Sequence, residues 1–251
     1  MSAWYEASFG EDYLALYPHR DFEEARADVA AILALIDPPR LDPLLDLCCG
    51  AGRHLRALRE AGFSSLTGMD LSQTLLDVAQ RHIASQTGIR LLRADMRRIP
   101  FDQAFATILS LFTSFGYFDD DDNQLVLDSV YRALRPGGVF LLDTMHRAST
   151  IANLSPHSEQ SIDGDRVIIT RSITPDRLRI EKTIRIQPDD KPPRRYNESV
   201  RMYEAAELRA MLERVGFRRL RFHGALDGRL YDSHSPRMIA IASKPLQGGR
   251  V

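Results

Sequence analysis

Cysteine is scarce: the 251 residues hold two, and they are adjacent, Cys48 and Cys49. Neighbouring thiols cannot build a disulfide framework, so a cystine-stapled secreted scaffold is excluded and a reducing cytoplasm is the expected setting. Charge of one sign is lacking too. The formal net charge is -1, too small for a field that draws a whole chain to nucleic acid or to a membrane surface. No stretch approaches the ~20 apolar residues of a membrane span. The opening residues, MSAWYEASFGEDY, carry no basic region followed by an apolar run, and no signal peptide is expected. No internal repeat is visible.

What is present reads as one large α/β domain with an insertion. Apolar residues make up 44% and charged residues 27%, the balance of a soluble globular protein. Residues 21–36 have the spacing of an amphipathic helix, with Asp21 at its N-cap and Pro38 beyond its end. LLDLC (44–48) is an apolar run that stops at Gly-Ala-Gly, as a buried strand stops at a tight turn. Strands at 65–70, 89–95, 106–112 and 138–144 follow. Helices are expected at 53–62, 72–85 and 122–135 between them. The strands are near-continuous apolar runs, the mark of a parallel sheet covered on both faces.

The pattern changes after residue 150. Segments 167–174, 177–187 and 196–203 alternate apolar and polar residues and predict a three-stranded antiparallel insertion. A helix at 205–216 and two last strands complete a seven-stranded, doubly wound, Rossmann-like sheet. The expected organisation is an N-terminal helical cap (1–36), a core (37–150 and 204–245), a β lid (151–203) and a frayed tail (246–251). Residues 166–223 carry 15 Lys/Arg against 8 Asp/Glu, whereas residues 1–165 carry 14 against 24. That asymmetry fits either an anionic substrate near the lid or a solvated strand face.

A glycine loop that ends a strand and opens a helix brings backbone N–H groups to an anionic or polar ligand. In Gly50-Ala51-Gly52 the third small residue of a dinucleotide fingerprint is missing. Asp70, at the end of the second strand, suits a ribose diol in either cofactor class. Asp95 suits an adenine amino group lying across strands two and three.

LLDLCCGAGRH, GMDLS, ADMRRIP, LFTSFGYF and LRPGGVFLLDT, in this order and spacing, resemble the successive motifs of class I S-adenosylmethionine-dependent methyltransferases. The resemblance covers residues 40 to 145. It implies that Asp46, Cys49, Gly50 and Gly52 border the methionine part of the cofactor, and that Asp70 takes the ribose hydroxyls. Leu71 would pack beside the adenine, Asp95 and the Met96 backbone would meet its edge, and Leu111 would lie under the sulfonium. The N-terminal segment and the insertion resemble the branch that includes the glycine N-methyltransferases. In that branch an N-terminal Arg holds the methionine carboxylate. Arg20 is the matching candidate, with Tyr13, Tyr17 and His19 around it, and a helix-flanking surface charge is the other reading of Arg20.

Methyl transfer from a sulfonium is an in-line displacement that needs alignment and a dry site more than a catalytic dyad. The Asn/Asp-Pro-Pro-aromatic motif of base and amide methylation is absent after strand four, and neither cysteine sits where a cytosine nucleophile would. Asp143 lacks the companion acids of a metal-dependent enzyme. The run FDDDDN (118–123) reads as a capped loop before a helix, and no metal is expected. A small-molecule acceptor remains, reacting through N, O or a carboxylate. Phe112, Phe115 and Tyr117 would form one wall of its site. Arg171, Arg201, Tyr203 and Arg237 would contact it, with His146 or Tyr117 as catalytic group. The rival readings are a cofactor-using enzyme that cyclises the aminobutyrate arm and, further off, an RNA methyltransferase. The chain is expected to act as a monomer or homodimer, without nucleic-acid or membrane partners.

Overall fold

Alternate residues of each core strand serve opposite faces of one sheet, which is why the strands read as unbroken apolar runs. The computed structural model describes residues 4–10, 12–17, 21–188 and 192–246. In chain order, α1 (Trp4–Ser8), α2 (Asp12–Leu16) and α3 (Phe22–Ile36) precede β1 (Leu44–Leu47). Then come α4 (Arg53–Glu60), β2 (Leu66–Asp70), α5 (Gln73–His82), β3 (Ile89–Arg93), a tight helical turn at Met96–Arg98 and β4 (Phe105–Ser110). Next are α6 (Asp120–Ala133), β5 (Leu134–Met145), α7 (Arg147–Ala152) and the strands β6 (His157–Ile162), β7 (Asp165–Ile173), β8 (Arg179–Gln187) and β9 (Arg194–Arg201). The chain closes with α8 (Ala205–Val215), β10 (Arg218–His223) and β11 (Arg237–Ser243).

The main sheet has seven strands in the order β10-β11-β5-β4-β1-β2-β3. Pairs among β1 to β5 are parallel, and β11 runs antiparallel to both β5 and β10. One face packs Leu44, Leu66, Leu109, Leu141, Ile239 and Ile241 under α3 and α4. The other packs Leu45, Ile108, Phe140, Leu142, Met238 and Ala240 under α6 and α8. Each fully buried Leu or Ile contributes roughly 1.5–3 kcal/mol over its exposed state. Ala25, Val29 and Ile32 of α3 are buried in this core. By its burial α3 is therefore a core helix whose first residue, Phe22, still reaches the cavity, while α1 and α2 lie over the site. No helix among the described residues is long and apolar enough to cross a membrane.

Helix starts follow their caps. Asp21 accepts from Glu24 N at 2.9 Å, Ser72 from Leu75 N at 3.2 Å and Asp119 from Asp122 N at 2.8 Å. The last of these makes FDDDDN the capped start of α6.

The insertion is a second sheet of four antiparallel strands, β6-β7-β8-β9, one more than the pattern predicts. The extra strand, HSEQSI, has one apolar residue and lies at an exposed edge, so it carries no alternation to read. The inner face of this sheet buries Val167, Ile169, Ile184 and Ile186 against Leu16 and Tyr17. Lid and cap thus share a small core of their own.

Candidate active site

A cavity of about 1010 Å³ opens at the carboxyl ends of β1 to β4, under α1, α2 and the inner face of the lid. It sits where strand order reverses between β1 and β4, the position at which open parallel sheets bind ligands.

The glycine loop forms its floor. The chain leaves β1 at Cys48, which takes a left-handed φ of 62°, and Gly50 and Gly52 follow at 52° and 77°. Only glycine adopts such angles without strain. The packing beneath is tight: a Cβ on Gly68 of β2 would stand 2.4 Å from Leu55 and 2.9 Å from the Cys49 sulfur. Cys49 therefore fills a space made for a small side chain. Burial pushes both thiols well above their ordinary range, and nearby carboxylates push further. Neither is a poised nucleophile.

Three carboxylates ring the cavity, one from each of three consecutive strand ends. Asp46 is buried, and among the described residues its Oδ2 has no hydrogen-bond partner. Burial raises its pKa to about 6; His54 and Arg53 pull it down and Asp70 pushes it up. Asp70 is pushed up by burial and held back by backbone donors. It accepts from Gly50 N at 2.8 Å and from Ser72 N at 2.9 Å, which fixes it against the loop. Burial raises the pKa of Asp95, but Arg97 outweighs it and leaves the group below its usual value. Arg97 donates to it from the backbone at 2.8 Å and from the guanidinium at 2.6 Å. Leu71, Met96 and Leu111 complete this half of the lining.

The wall after β4 is strained and braced. Phe112 and Thr113 both adopt left-handed backbone, at φ 61° and 63°. Two successive non-glycine residues there persist only when their surroundings hold them. Asp143 supplies the hold: its Oδ2 accepts from Phe112 N at 2.9 Å and its carbonyl from Thr113 N at 3.0 Å. Arg237 locks Asp143 at 2.6 Å and reaches Thr113 Oγ1 at 2.8 Å. The Phe112 ring lies between two guanidiniums, Arg53 at 4.9 Å and Arg237 at 5.7 Å.

Several expected site residues lie elsewhere. His146 is 2% exposed, bonds Ser235 O through Nδ1 at 2.7 Å, and does not line the cavity. Its neighbour Met145, the last residue of β5, does, whereas His146 caps α7 and its ring is held at Ser235 O and against Tyr231. Arg201 points to α6 and α8, pairing with Asp120 at 3.1 Å and Glu207 at 2.9 Å. Tyr203 donates to Asp120 at 2.7 Å and covers Phe115, and neither ring meets the cavity. The cause is the pairing of Arg201 N with Gly116 O at 2.7 Å, which joins β9 to the wall loop and ends the inward-facing register at Val200. Arg237 lines the cavity but is committed to Asp143. Tyr17, Arg171 and Tyr117 do line it. Arg20 and His19 lie outside the described residues.

Other lining residues carry weaker sequence signals. Trp4 and Phe9 of the N-terminal segment pack on Tyr117 at 5.0 and 5.6 Å between ring centres. Lys182 and Glu198 enter from the lid. Lys182 stands at the parity of Ile180, Ile184 and Ile186, so the alternation of β8 places a charge on its apolar face. Tyr117 links the two halves. Burial raises its hydroxyl's pKa well above the ordinary value, and the nearby carboxylates of Glu198 and Asp70 raise it further. Among the described residues no cluster of His, Cys, Asp and Glu has the arrangement of a metal site.

Comparison with known proteins fits this geometry. Residues 44–138 match the model of the family described as "Methyltransferase domain". A crystal structure of an S-adenosylmethionine-dependent methyltransferase from Clostridium acetobutylicum ATCC 824 superposes with a TM-score of 0.77 at 20% identity, over 93% of this chain and 96% of that one. The fold is the Rossmann-like methyltransferase fold. Among curated proteins, YqeM of Bacillus subtilis (strain 168) is 33% identical over 152 residues, which are 60% of this chain and 59% of YqeM. The dTDP-3-amino-3,4,6-trideoxy-alpha-D-glucopyranose N,N-dimethyltransferase of Streptomyces venezuelae is 28% identical over 152 residues, 59% of this chain and 62% of that enzyme. The chain thus spans about three fifths of the length of the curated relatives it matches.

Proposed function

We propose that this chain is an S-adenosylmethionine-dependent methyltransferase acting on a small molecule. The observation that carries the reading is the ring of Asp46, Asp70 and Asp95 around one cavity floored by Gly50 and Gly52. Its residues fit the cofactor. The unpartnered Oδ2 of Asp46 is a buried acceptor awaiting a donor, and the cofactor's ammonium is one. Asp70 is oriented by two backbone N–H groups toward a diol. Asp95 and Met96, which line the same cavity, are assigned to the adenine edge, Leu71 to its face and Leu111 to the reacting end. The cofactor, when bound, supplies a methyl group already activated on a positively charged sulfur.

The chain's own task is then to align an acceptor and keep water out. Trp4, Phe9, Phe112 and Tyr117 give it an aromatic wall. Tyr117 keeps its proton at neutral pH, so it donates a hydrogen bond and is no general base. His146 faces away, and an acceptor whose nucleophile already holds a free lone pair needs no base. The amino-sugar relative supports a neutral amine as the methyl-accepting group of that molecule. The glycine N-methyltransferase likeness rests on the N-terminal and lid segments alone.

The test is calorimetry with S-adenosylmethionine, followed by turnover with a panel of small amines, phenols and carboxylic acids. Saturable binding and release of S-adenosylhomocysteine are expected. Release of methylthioadenosine in its place overturns the reading.

A further inference from the structure

The inner face of the lid carries a charged row flanked by two rows without charge; farther along the face Arg194, opposite Ile186, is matched by Asp12. Arg171, Lys182 and Glu198 stand directly opposite one another on β7, β8 and β9, so their side chains share a face. The row on one side is Ile169, Ile184 and Tyr196, and the row on the other is Ile173, Ile180 and Val200. All three charged residues line the cavity. The side chains of Lys182 and Glu198 are only 14% and 17% exposed. Placing charge on a half-buried apolar face is costly unless the charges are matched.

The row is not matched internally. Lys182 and Glu198 neutralise each other at 3.2 Å, and Lys182 also reaches the Tyr17 hydroxyl. Arg171 is left over. Among the described residues its guanidinium donates to Ser155 O at 3.3 Å and to Ser158 Oγ at 3.1 Å, and both acceptors are neutral. Among the described residues the row therefore presents one surplus positive charge, that of Arg171, to the cavity. A planar guanidinium of this kind matches an oxyanion with two parallel hydrogen bonds. The acids of the cofactor half lie on the core sheet, across the cavity from the lid.

We propose that the Arg171–Lys182–Glu198 row is an oxyanion subsite, and that the acceptor is a small acid whose carboxylate or phosphate seats on Arg171. The body of the acceptor lies along the aromatic wall of Trp4, Phe9 and Tyr117. This assignment of acceptor class rests on the methyltransferase reading, whereas the anion site itself does not.

The test uses the full chain and three probes of one shape: benzoate, phenyl phosphate and neutral benzamide. Binding is measured by calorimetry with and without S-adenosylhomocysteine. In the wild type at least one acid binds about tenfold or more tighter than benzamide, as one charge-assisted pair supplies. The preferred acid tells carboxylate from phosphate. Arg171→Met removes the discrimination and leaves S-adenosylhomocysteine affinity unchanged. If that variant does not fold, Arg171→Lys keeps the charge without the planar fork and loses discrimination several-fold. Equal binding of acids and amide by the wild type overturns the subsite, and so does discrimination that survives both substitutions. A loss of S-adenosylhomocysteine affinity in Arg171→Met assigns the arginine to the cofactor's carboxylate and overturns the proposal. Failure of the wild type to bind S-adenosylhomocysteine sinks the methyltransferase reading alone, because the acid-to-amide ratio is still measured without it.

Discussion

Asp46 stores a cost that a ligand relieves. Its folded pKa of about 6 lies above the ordinary 3.8. Between those two values the unfolded chain releases the proton and the folded chain keeps it, so stability falls as pH rises through this window. Above pH 6 the folded state carries a buried carboxylate with an unpartnered oxygen. Asp46→Asn is therefore expected to stabilise the cofactor-free protein by about 1–3 kcal/mol at pH 7.5. The gain shrinks as pH falls through 6 and vanishes near 3.8. Melting curves across that range check it, and the same substitution weakens cofactor binding. Asp70→Ala should cost about 1–3 kcal/mol of cofactor affinity by calorimetry, the loss of a buried hydrogen-bonded charge. Cys48→Ala and Cys49→Ala should keep turnover, because burial holds both thiols protonated. Loss of turnover in folded, cofactor-binding variants would contradict that. These residues were legible in the sequence because each ends a strand at a glycine or acid motif. Lys182, Glu198 and Arg97 were harder, since their roles depend on which strands face one another across the cavity.

At the scale of elements, the wall loop after β4 is held from two directions. Asp143 and Arg237 brace Phe112 and Thr113 from β5 and β11. From the lid, Arg179 donates to Phe118 O at 2.9 Å and to Gly116 O and Tyr117 O at 3.3 Å each, and to Ser199 at 2.8 Å. Asp143→Asn keeps the shape but removes the charge. It should cost about 1–3 kcal/mol in urea unfolding, less than a wholly buried pair because Arg237 is partly solvated. The core strands could be read from their apolar runs, and their caps from Asp21 and Ser72. The strand HSEQSI could not, because an exposed edge imposes no hydrophobic period. Arg201 and Tyr203 were misplaced for a related reason. The alternation of β9 is clear to Val200, but the pairing of Arg201 with Gly116 that ends it lies 85 residues away along the chain.

Across the whole molecule, the cap joins two bodies that otherwise face each other over a cavity. Toward the core, Ser72 Oγ donates to Phe9 O at 2.6 Å and Arg97 to the Tyr5 hydroxyl at 3.4 Å. Both contacts adjoin an acid of the cavity, Asp70 or Asp95. Toward the lid, Tyr196 donates to Asp12 at 2.6 Å and Ser8 Oγ to Asn197 O at 3.1 Å. Ligand binding at the acids should therefore slow amide exchange in α1, α2 and β9 together. Hydrogen-exchange mass spectrometry checks this, and protection confined to the glycine loop would count against the linkage. Only the general presence of a helical cap was readable beforehand, because two five-residue helices carry too few turns to show a period.

The chain has one tryptophan, and it is Trp4, set edge-on to Tyr117 at the cavity wall. Its emission therefore comes from a single place, with no other indole to dilute it. A sulfonium, an aromatic acceptor or a changed cap angle would each alter the polarity or quenching around that ring. The protein carries its own optical probe at the cavity wall, and a fluorescence titration of the unlabelled chain reads occupancy there directly.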